Sequence, residues 1–169
     1  MIDTSQFFSE FREPISSDML KSCLELVSDR HKYNWQPYYN FYAVKVPDKE
    51  VVKDYFFSKL KEAHNFEVGL IEMKPHHFYD WHVDTDRTCG INISLDGYDS
   101  RCLFRDKAEI NGPVCELSYR FKTAYLFNTK KEHCVYNGKG HRRMISVRFM
   151  GDKPYDVLRE ELKDSLVTL

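Results

Sequence analysis

No stretch of this 169-residue chain comes near the roughly 20 apolar residues that a membrane span requires. Its first residues, Met1-Ile2-Asp3-Thr4-Ser5-Gln6, carry neither the basic start nor the apolar segment of a secretory signal. Neither sign of charge dominates. The formal net charge is −1, which argues against a broad electropositive face for nucleic acid and leaves room only for a local basic pocket. No Cys-x-x-Cys pair occurs, and the cysteines (Cys23, Cys89, Cys102, Cys115 and Cys134) are odd in number and widely scattered. A reduced, cytoplasmic protein is the simple reading. Internal repeats, low-complexity tracts and dividing linkers are also missing, so residues 1–169 are expected to form one domain.

What the chain has in quantity is aromatic side chains, at 15%, mostly Tyr and Phe, which favour half-buried sheet surfaces. Hydrophobic residues at 42% and charged residues at 30% fit a globular domain with a proper core. Met19, Leu20, Cys23, Leu24 and Val27 recur at helical spacing and predict a helix over Ser16–Arg30. A second helix is expected from about Lys49 to His64, with Val51, Val52, Tyr55, Phe56 and Leu60 as its apolar stripe, and a third over Pro154–Leu166. Short strands are expected at Asn40–Val46, Glu67–Met73, Phe78–His82, Gly90–Leu95, Cys102–Phe104, Thr123–Phe127, Cys134–Tyr136 and Met144–Met150. Turns are marked by Asp96-Gly97, Asn111-Gly112-Pro113 and Asn137-Gly138-Lys139-Gly140. The segment Tyr98–Arg120 gives the weakest structural signal. Most of these strands lack helix-length separators, so parallel βαβ winding is not expected. The pattern predicts a mainly β fold with flanking helices, a sandwich or barrel core over about 67–150, helical support over about 16–64 and a closing helix over about 154–166.

Three features carry chemistry. His82-Val83-Asp84 places an imidazole and a carboxylate two residues apart, on one face of an extended chain. Alone, such a tripeptide also occurs in ordinary exposed turns. Here Tyr79-Asp80-Trp81 leads into it, Thr85-Asp86-Arg87 follows, and Gly90-Ile91-Asn92-Ile93-Ser94-Leu95 resumes as an alternating strand. His133, before Cys134-Val135-Tyr136, is the natural third donor, with His77 as its rival. His31 and His64 lie near predicted helix C-termini, where a His can face the dipole, and His76 and His141 lie in loops. Two imidazoles and one carboxylate with open positions form the donor set of non-heme Fe(II) oxygenases.

The third feature is the strand Arg142-Arg143-Met144-Ile145-Ser146-Val147-Arg148-Phe149. If Arg142 faces inward, Ser146 and Arg148 line the cavity with it, while Ile145, Val147 and Phe149 pack under the helices. If Arg143 faces inward, the apolar groups are exposed to the cavity instead. The first arrangement buries the apolar side chains, so Arg142 and Arg148 are the expected pocket residues. The same alternation places Asn92 and Ser94 on the inner face, where their polar groups suit a wet pocket better than a dry core.

In this order, His82-Val83-Asp84, His133 and Arg142 resemble the Fe(II)- and 2-oxoglutarate-dependent oxygenases, over roughly Glu67 to Met150. Tyr79–Asp84 is similar to the first-ligand strand of the prolyl-hydroxylase-like branch. The resemblance implies a double-stranded β-helix of the jelly-roll or cupin-like kind. It also implies Fe(II) held by His82, Asp84 and His133, and 2-oxoglutarate anchored by Arg142, whose planar fork suits a carboxylate. The doubled Arg142-Arg143 leaves that anchor open by one residue. Arg148, Asn92, Ser94 and Ser146 would complete the co-substrate pocket, and Tyr79, Trp81 and Arg87 would lie on the substrate side. The implied reaction is hydroxylation of a peptide side chain or small molecule with dioxygen, releasing succinate and CO2. Other classes compatible with the residues are a cupin-like metal enzyme without 2-oxoglutarate and a non-catalytic binding module. The Arg142…Arg148 spacing also resembles the AlkB-type nucleic-acid demethylases, supported only by Lys130, Lys131, Lys139, His141 and Arg143. No lid for nucleotides precedes the core, and neither nucleic acid nor membrane is expected as a partner.

Overall fold

The computed structural model describes residues 3–96, 99–106 and 112–167. In chain order the first half contains β1 (Phe8–Glu10), α1 (Ser17–Ser28), β2 (Gln36–Tyr38), β3 (Phe41–Lys45), α2 (Asp48–Val51) and α3 (Tyr55–Ala63). Then follow β4 (Phe66–Met73), β5 (Phe78–His82), β6 (Cys89–Ser94), β7 (Ser100–Arg105), β8 (Cys115–Ser118), β9 (Ala124–Asn128), β10 (Glu132–Asn137), β11 (Arg142–Phe149) and α4 (Tyr155–Glu161). All strand pairs are antiparallel, in a seven-stranded sheet of order β1-β9-β6-β11-β4-β3-β2 and a four-stranded sheet of order β5-β10-β7-β8. This is the two-sheet form of a double-stranded β-helix.

One face of the large sheet is dry. Leu70, Ile91, Ile93, Leu126, Ile145 and Val147 project from it into a core closed by Met19, Cys23 and Leu26 of α1, Phe56, Phe57 and Leu60 of α3, and Tyr155 and Leu158 of α4. Because strand side chains alternate, the residues between these apolar positions point to the opposite face, toward the small sheet. There a second, smaller cluster joins the two sheets through Met73, Tyr125 and Phe127 on one side and Cys102, Phe104, Leu117 and Val135 on the other.

Four sequence expectations need correction. The helix expected over Lys49–His64 is two helices, because Asp54 starts a new one. Its Oδ1 accepts the Phe57 N–H at 3.2 Å, capping α3, and its Oδ2 accepts the Ser16 N–H at 2.8 Å, which ties α3 to the start of α1. In α1, Leu26 rather than Leu24 completes the buried stripe with Met19 and Cys23, and Leu24 is 42% exposed. The C-terminal helix stops at Glu161 and continues as a 3-10 turn over Lys163–Ser165. Strands β1, β2 and β8 were not expected. The first two are three-residue edge strands, one carrying Pro37, which an edge tolerates. Gly97 and Asn111, parts of two expected turns, lie outside the described residues.

Candidate metal centre and its cavity

His82 ends β5 and pairs directly with His133 of β10, so antiparallel register sets the two imidazoles side by side, with ring centroids 4.2 Å apart. Asp84 lies beyond the strand end. Its approach depends on the following turn as well as on strand alternation: its N–H donates to the Thr129 carbonyl at 3.0 Å, across from the loop that leads to His133. The carboxylate Oδ1 then sits 3.5 Å from His82 Nε2 and 3.8 Å from His133 Nε2. One donor atom from each of the three residues lies within 4.8 Å of the others.

The protons are placed for metal binding. His82 Nδ1 contacts the Asp80 carbonyl at 2.6 Å, and His133 Nδ1 contacts the Lys131 carbonyl at 2.9 Å. A carbonyl can only accept, so each ring carries its proton on Nδ1 and turns the Nε2 lone pair to the centre. Burial drives the His133 pKa down to about 4, against the opposing pull of the Lys131 carbonyl, so the ring is neutral in ordinary conditions. Burial would raise the Asp84 carboxyl. The charge and hydrogen bond of Arg87 oppose it, and the group lies well below the usual carboxylate range. Two imidazoles that present Nε2 and one ionised carboxylate fit a divalent iron. His77 is not part of this cluster, and its Nδ1 lies against the Pro75 carbonyl at 3.0 Å.

These three residues line a cavity of about 1040 Å³ between the sheets, which they share with Asn92, Arg142, Ser146 and Arg148. Arg142 is 4% exposed, and its Nε has no hydrogen-bond partner. No ion pair to it forms among the described residues; its guanidinium lies 5.5 Å from the centre of the Tyr119 ring. A buried, unmatched cation is costly, and its exposure to a cavity fits an anionic ligand there. Asn92 Nδ2 donates to the Tyr119 hydroxyl at 3.3 Å, and its Oδ1 is unpartnered. Arg148 stands at the outer part, half exposed, with Nη1 3.4 Å from Asp86 Oδ2. Ser94 is not brought to the cavity: its hydroxyl donates to the Asp96 carbonyl at 2.6 Å. Arg143 points away to the helix side, where its Nε donates to Glu72 at 2.9 Å.

Solved structures with this arrangement of strands are known. A prolyl-4-hydroxylase from Pseudomonas putida superposes with a TM-score of 0.65 at 14% identity, over 89% of this chain and 96% of that one. The chain has the fold of the 2-oxoglutarate–Fe(II) oxygenases. A 2OG-Fe(II) oxygenase family oxidoreductase from Burkholderia pseudomallei matches at a TM-score of 0.55 and 11% identity, over 80% of this chain and 82% of its own. A collagen prolyl hydroxylase from Paramecium Bursaria Chlorella virus-1 matches at 0.55 and 12%, over 89% and 100%. No family model matches the chain, and no curated protein matches it by sequence.

Within this fold, one residue at the site is absent from the sequence reading, and another is present with a different role. Tyr119 extends the alternation of Cys115 and Leu117, both buried, with Glu116 and Ser118, both exposed, a period-two signal inside the segment that read least clearly. Arg87 was read as a substrate-side group, but its Nε donates to Asp84 Oδ2 at 2.6 Å. Its signal was the acid–base spacing of Asp84 and Arg87, three residues apart.

Proposed function

We propose that the protein is an Fe(II)- and 2-oxoglutarate-dependent dioxygenase, one domain over residues 1–169, that hydroxylates a peptide side chain or small molecule and releases succinate and CO2. One observation carries the reading: two imidazole nitrogens, one carboxylate oxygen and a buried guanidinium with an unpartnered Nε open onto the same cavity. His82, Asp84 and His133 would hold the iron, and Arg142 the distal carboxylate of 2-oxoglutarate. Bound there, iron and co-substrate would supply the oxidation of an unactivated C–H bond by dioxygen.

The chain's own contribution is placement. Backbone carbonyls at Asp80 and Lys131 prevent either imidazole from turning its protonated nitrogen inward. Arg142 sits on a strand buried against the main core, so its charge is fixed in position. Asn92 and Ser146 shape the wall beside it, while Arg148 lies outermost, paired with Asp86. At about 1040 Å³ the cavity is at the top of the usual range for a drug-sized ligand, which leaves room for an acceptor beside the co-substrate. Exposed Tyr38 and Tyr39 line it too, with Trp81 and with Tyr79, whose ring centroid lies 4.0 Å from that of His82.

Localisation in the cytoplasm accords with five free, buried cysteines. No helix among the described residues is long and apolar enough to cross a membrane. The basic cluster that would favour a nucleic-acid demethylase is largely engaged: Lys130 donates to the Asp84 carbonyl, Lys131 pairs with Asp106, and Arg143 with Glu72. The test is anaerobic addition of Fe(II) and 2-oxoglutarate to metal-free protein. A visible charge-transfer band is expected, lost in His133→Ala and weakened in Arg142→Ala. Iron uptake without a band would favour a cupin-like enzyme that uses no 2-oxoglutarate, and no uptake would favour a binding module.

A further inference from the structure

We infer that Arg87 is a positioning residue that confines Asp84 to one metal-facing oxygen. The inference rests on the metal reading of the triad. The two carboxylate oxygens of Asp84 are sorted: Oδ1 faces His82 and His133 at 3.5 and 3.8 Å, and Oδ2 receives Arg87 Nε at 2.6 Å. A carboxylate with both oxygens free can take two positions on a divalent cation, whereas one whose second oxygen is held offers a single donor. That difference matters at a centre with three protein donors, because every position Asp84 occupies is removed from a chelating co-substrate and from dioxygen.

Arg87 is itself held on several sides, as a positioning group must be. Its Nη1 donates to the Ser146 hydroxyl at 3.3 Å, and its guanidinium carbon lies 5.4 Å from the centre of the Phe127 ring. The side chain passes directly over Gly90, where an added Cβ would stand 3.0 Å from Nη1. Its backbone carbonyl accepts the Thr129 hydroxyl at 2.8 Å, and the carbonyl of that same, fully buried threonine accepts the Asp84 N–H at 3.0 Å. Thr129 therefore clamps both ends of the Asp84–Arg87 turn to the loop that leads to His133. A guanidinium can serve Asp84 and Ser146 through two different nitrogens at once, which the single ammonium of lysine cannot do in the same geometry.

The position has two opposing effects on metal affinity. Removing Arg87 frees the carboxylate to rotate, which lowers affinity, and also removes a positive charge near the metal, which raises it. Groups that orient metal ligands through hydrogen bonds typically govern 10–100-fold in affinity, so a net loss of about tenfold, the low end, is expected here. The experiment titrates Co(II) into metal-free wild type, Arg87→Ala and Arg87→Lys, recording the visible d–d spectrum, the dissociation constant and thermal melting of each. Expected are weaker Co(II) binding and an altered d–d envelope in both variants, with lysine failing to rescue either. Wild-type affinity and spectrum in Arg87→Ala, or their full recovery in Arg87→Lys, would overturn the inference. If Arg87→Ala does not fold, Arg87→Lys alone decides by the same criteria. Absence of Co(II) binding in well-folded wild type would instead remove the metal reading on which the inference stands.

Discussion

Arg142 and Arg143 are neighbours on β11 and face opposite worlds. Arg143 turns to the helix side of the large sheet, where buried Glu72 also receives Arg30 and lies 3.8 Å from His141 Nδ1. Arg30 is in turn stacked 4.5 Å from the Trp35 ring centre and 4.6 Å from that of Tyr42. Its neighbour Arg142 turns to the cavity side and forms no ion pair among the described residues; it lies against the Tyr119 ring with an unpartnered Nε. Burial of charge is costly, and on the helix side that cost is offset within the protein. On the cavity side it is left open. A fold that gives the half-buried arginine of this pair a carboxylate partner and leaves its more deeply buried neighbour without one fits a ligand that arrives from outside.

The comparison breaks most sharply under paired alanine substitutions. Arg142→Ala should lower 2-oxoglutarate affinity by about 2–5 kcal/mol, the cost of truncating one partner of a buried charge pair, or at least about thirtyfold. It should leave folding stability unchanged or improved. Arg143→Ala should do the reverse, costing about 1–3 kcal/mol of stability, since its pair with Glu72 is neither fully buried nor fully exposed, with 2-oxoglutarate binding retained. Isothermal titration and urea unfolding on both variants check this. If Arg143→Ala abolished co-substrate binding while Arg142→Ala did not, the anchor would be the other arginine.

The same contrast explains what could be read from the sequence. Alternation along β11 and β6 decided which residues face the core, because Ile91, Ile93, Ile145 and Val147 allow only one orientation without exposing apolar surface. The His82–Asp84 spacing and the position of His133 were legible as a donor set for the same reason: strand period and residue chemistry agree. Less legible were features created by tertiary approach. The second oxygen of Asp84 meets Arg87 only because Thr129, distant in sequence, holds the turn. Ser94 has the right parity for the cavity but lies next to the Asp96 carbonyl, which takes its hydroxyl. Asp54, inside an apparently continuous helical stripe, caps α3 by accepting the Phe57 N–H, and its other oxygen is held by the Ser16 N–H, distant in sequence. Short edge strands such as β1 and β2 owe their existence to a partner strand rather than to their own composition.

A smaller effect sharpens the comparison from the opposite direction. If Arg142 is retained for a ligand, the empty protein should be more stable without its charge. Arg142→Met keeps much of the side chain's length and removes the unmatched cation, so a stabilisation of about 1 kcal/mol or more is expected in the absence of 2-oxoglutarate, read as a higher urea midpoint with unchanged slope. The gain should shrink or reverse when the wild type is saturated with iron and 2-oxoglutarate, because ligand binding stabilises only the competent protein. A substantial loss of stability in the empty variant would mean that Arg142 is matched internally after all.

The smallest effect is a pH dependence on the helix side. Burial raises the Glu72 carboxyl, but the hydrogen bonds and charges of Arg143 and Arg30 outweigh it and leave the group below its ordinary value of 4.5. A carboxylate with a lowered folded pKa contributes stability that is fully present above the unfolded value and is lost as pH falls through the folded one. The stability gap between wild type and Glu72→Gln should therefore be largest near neutral pH and narrow progressively below pH 4.5. Arg142, which makes no ion pair and reaches a carboxylate only through its charge on Asp96, should give a smaller narrowing in Arg142→Met over the same range. Urea unfolding of the three proteins in steps from neutral to about pH 3 separates the two sides of the sheet. A gap that stays constant for Glu72→Gln would show that Arg143 is held there by packing rather than by charge, and would remove the electrostatic half of the contrast.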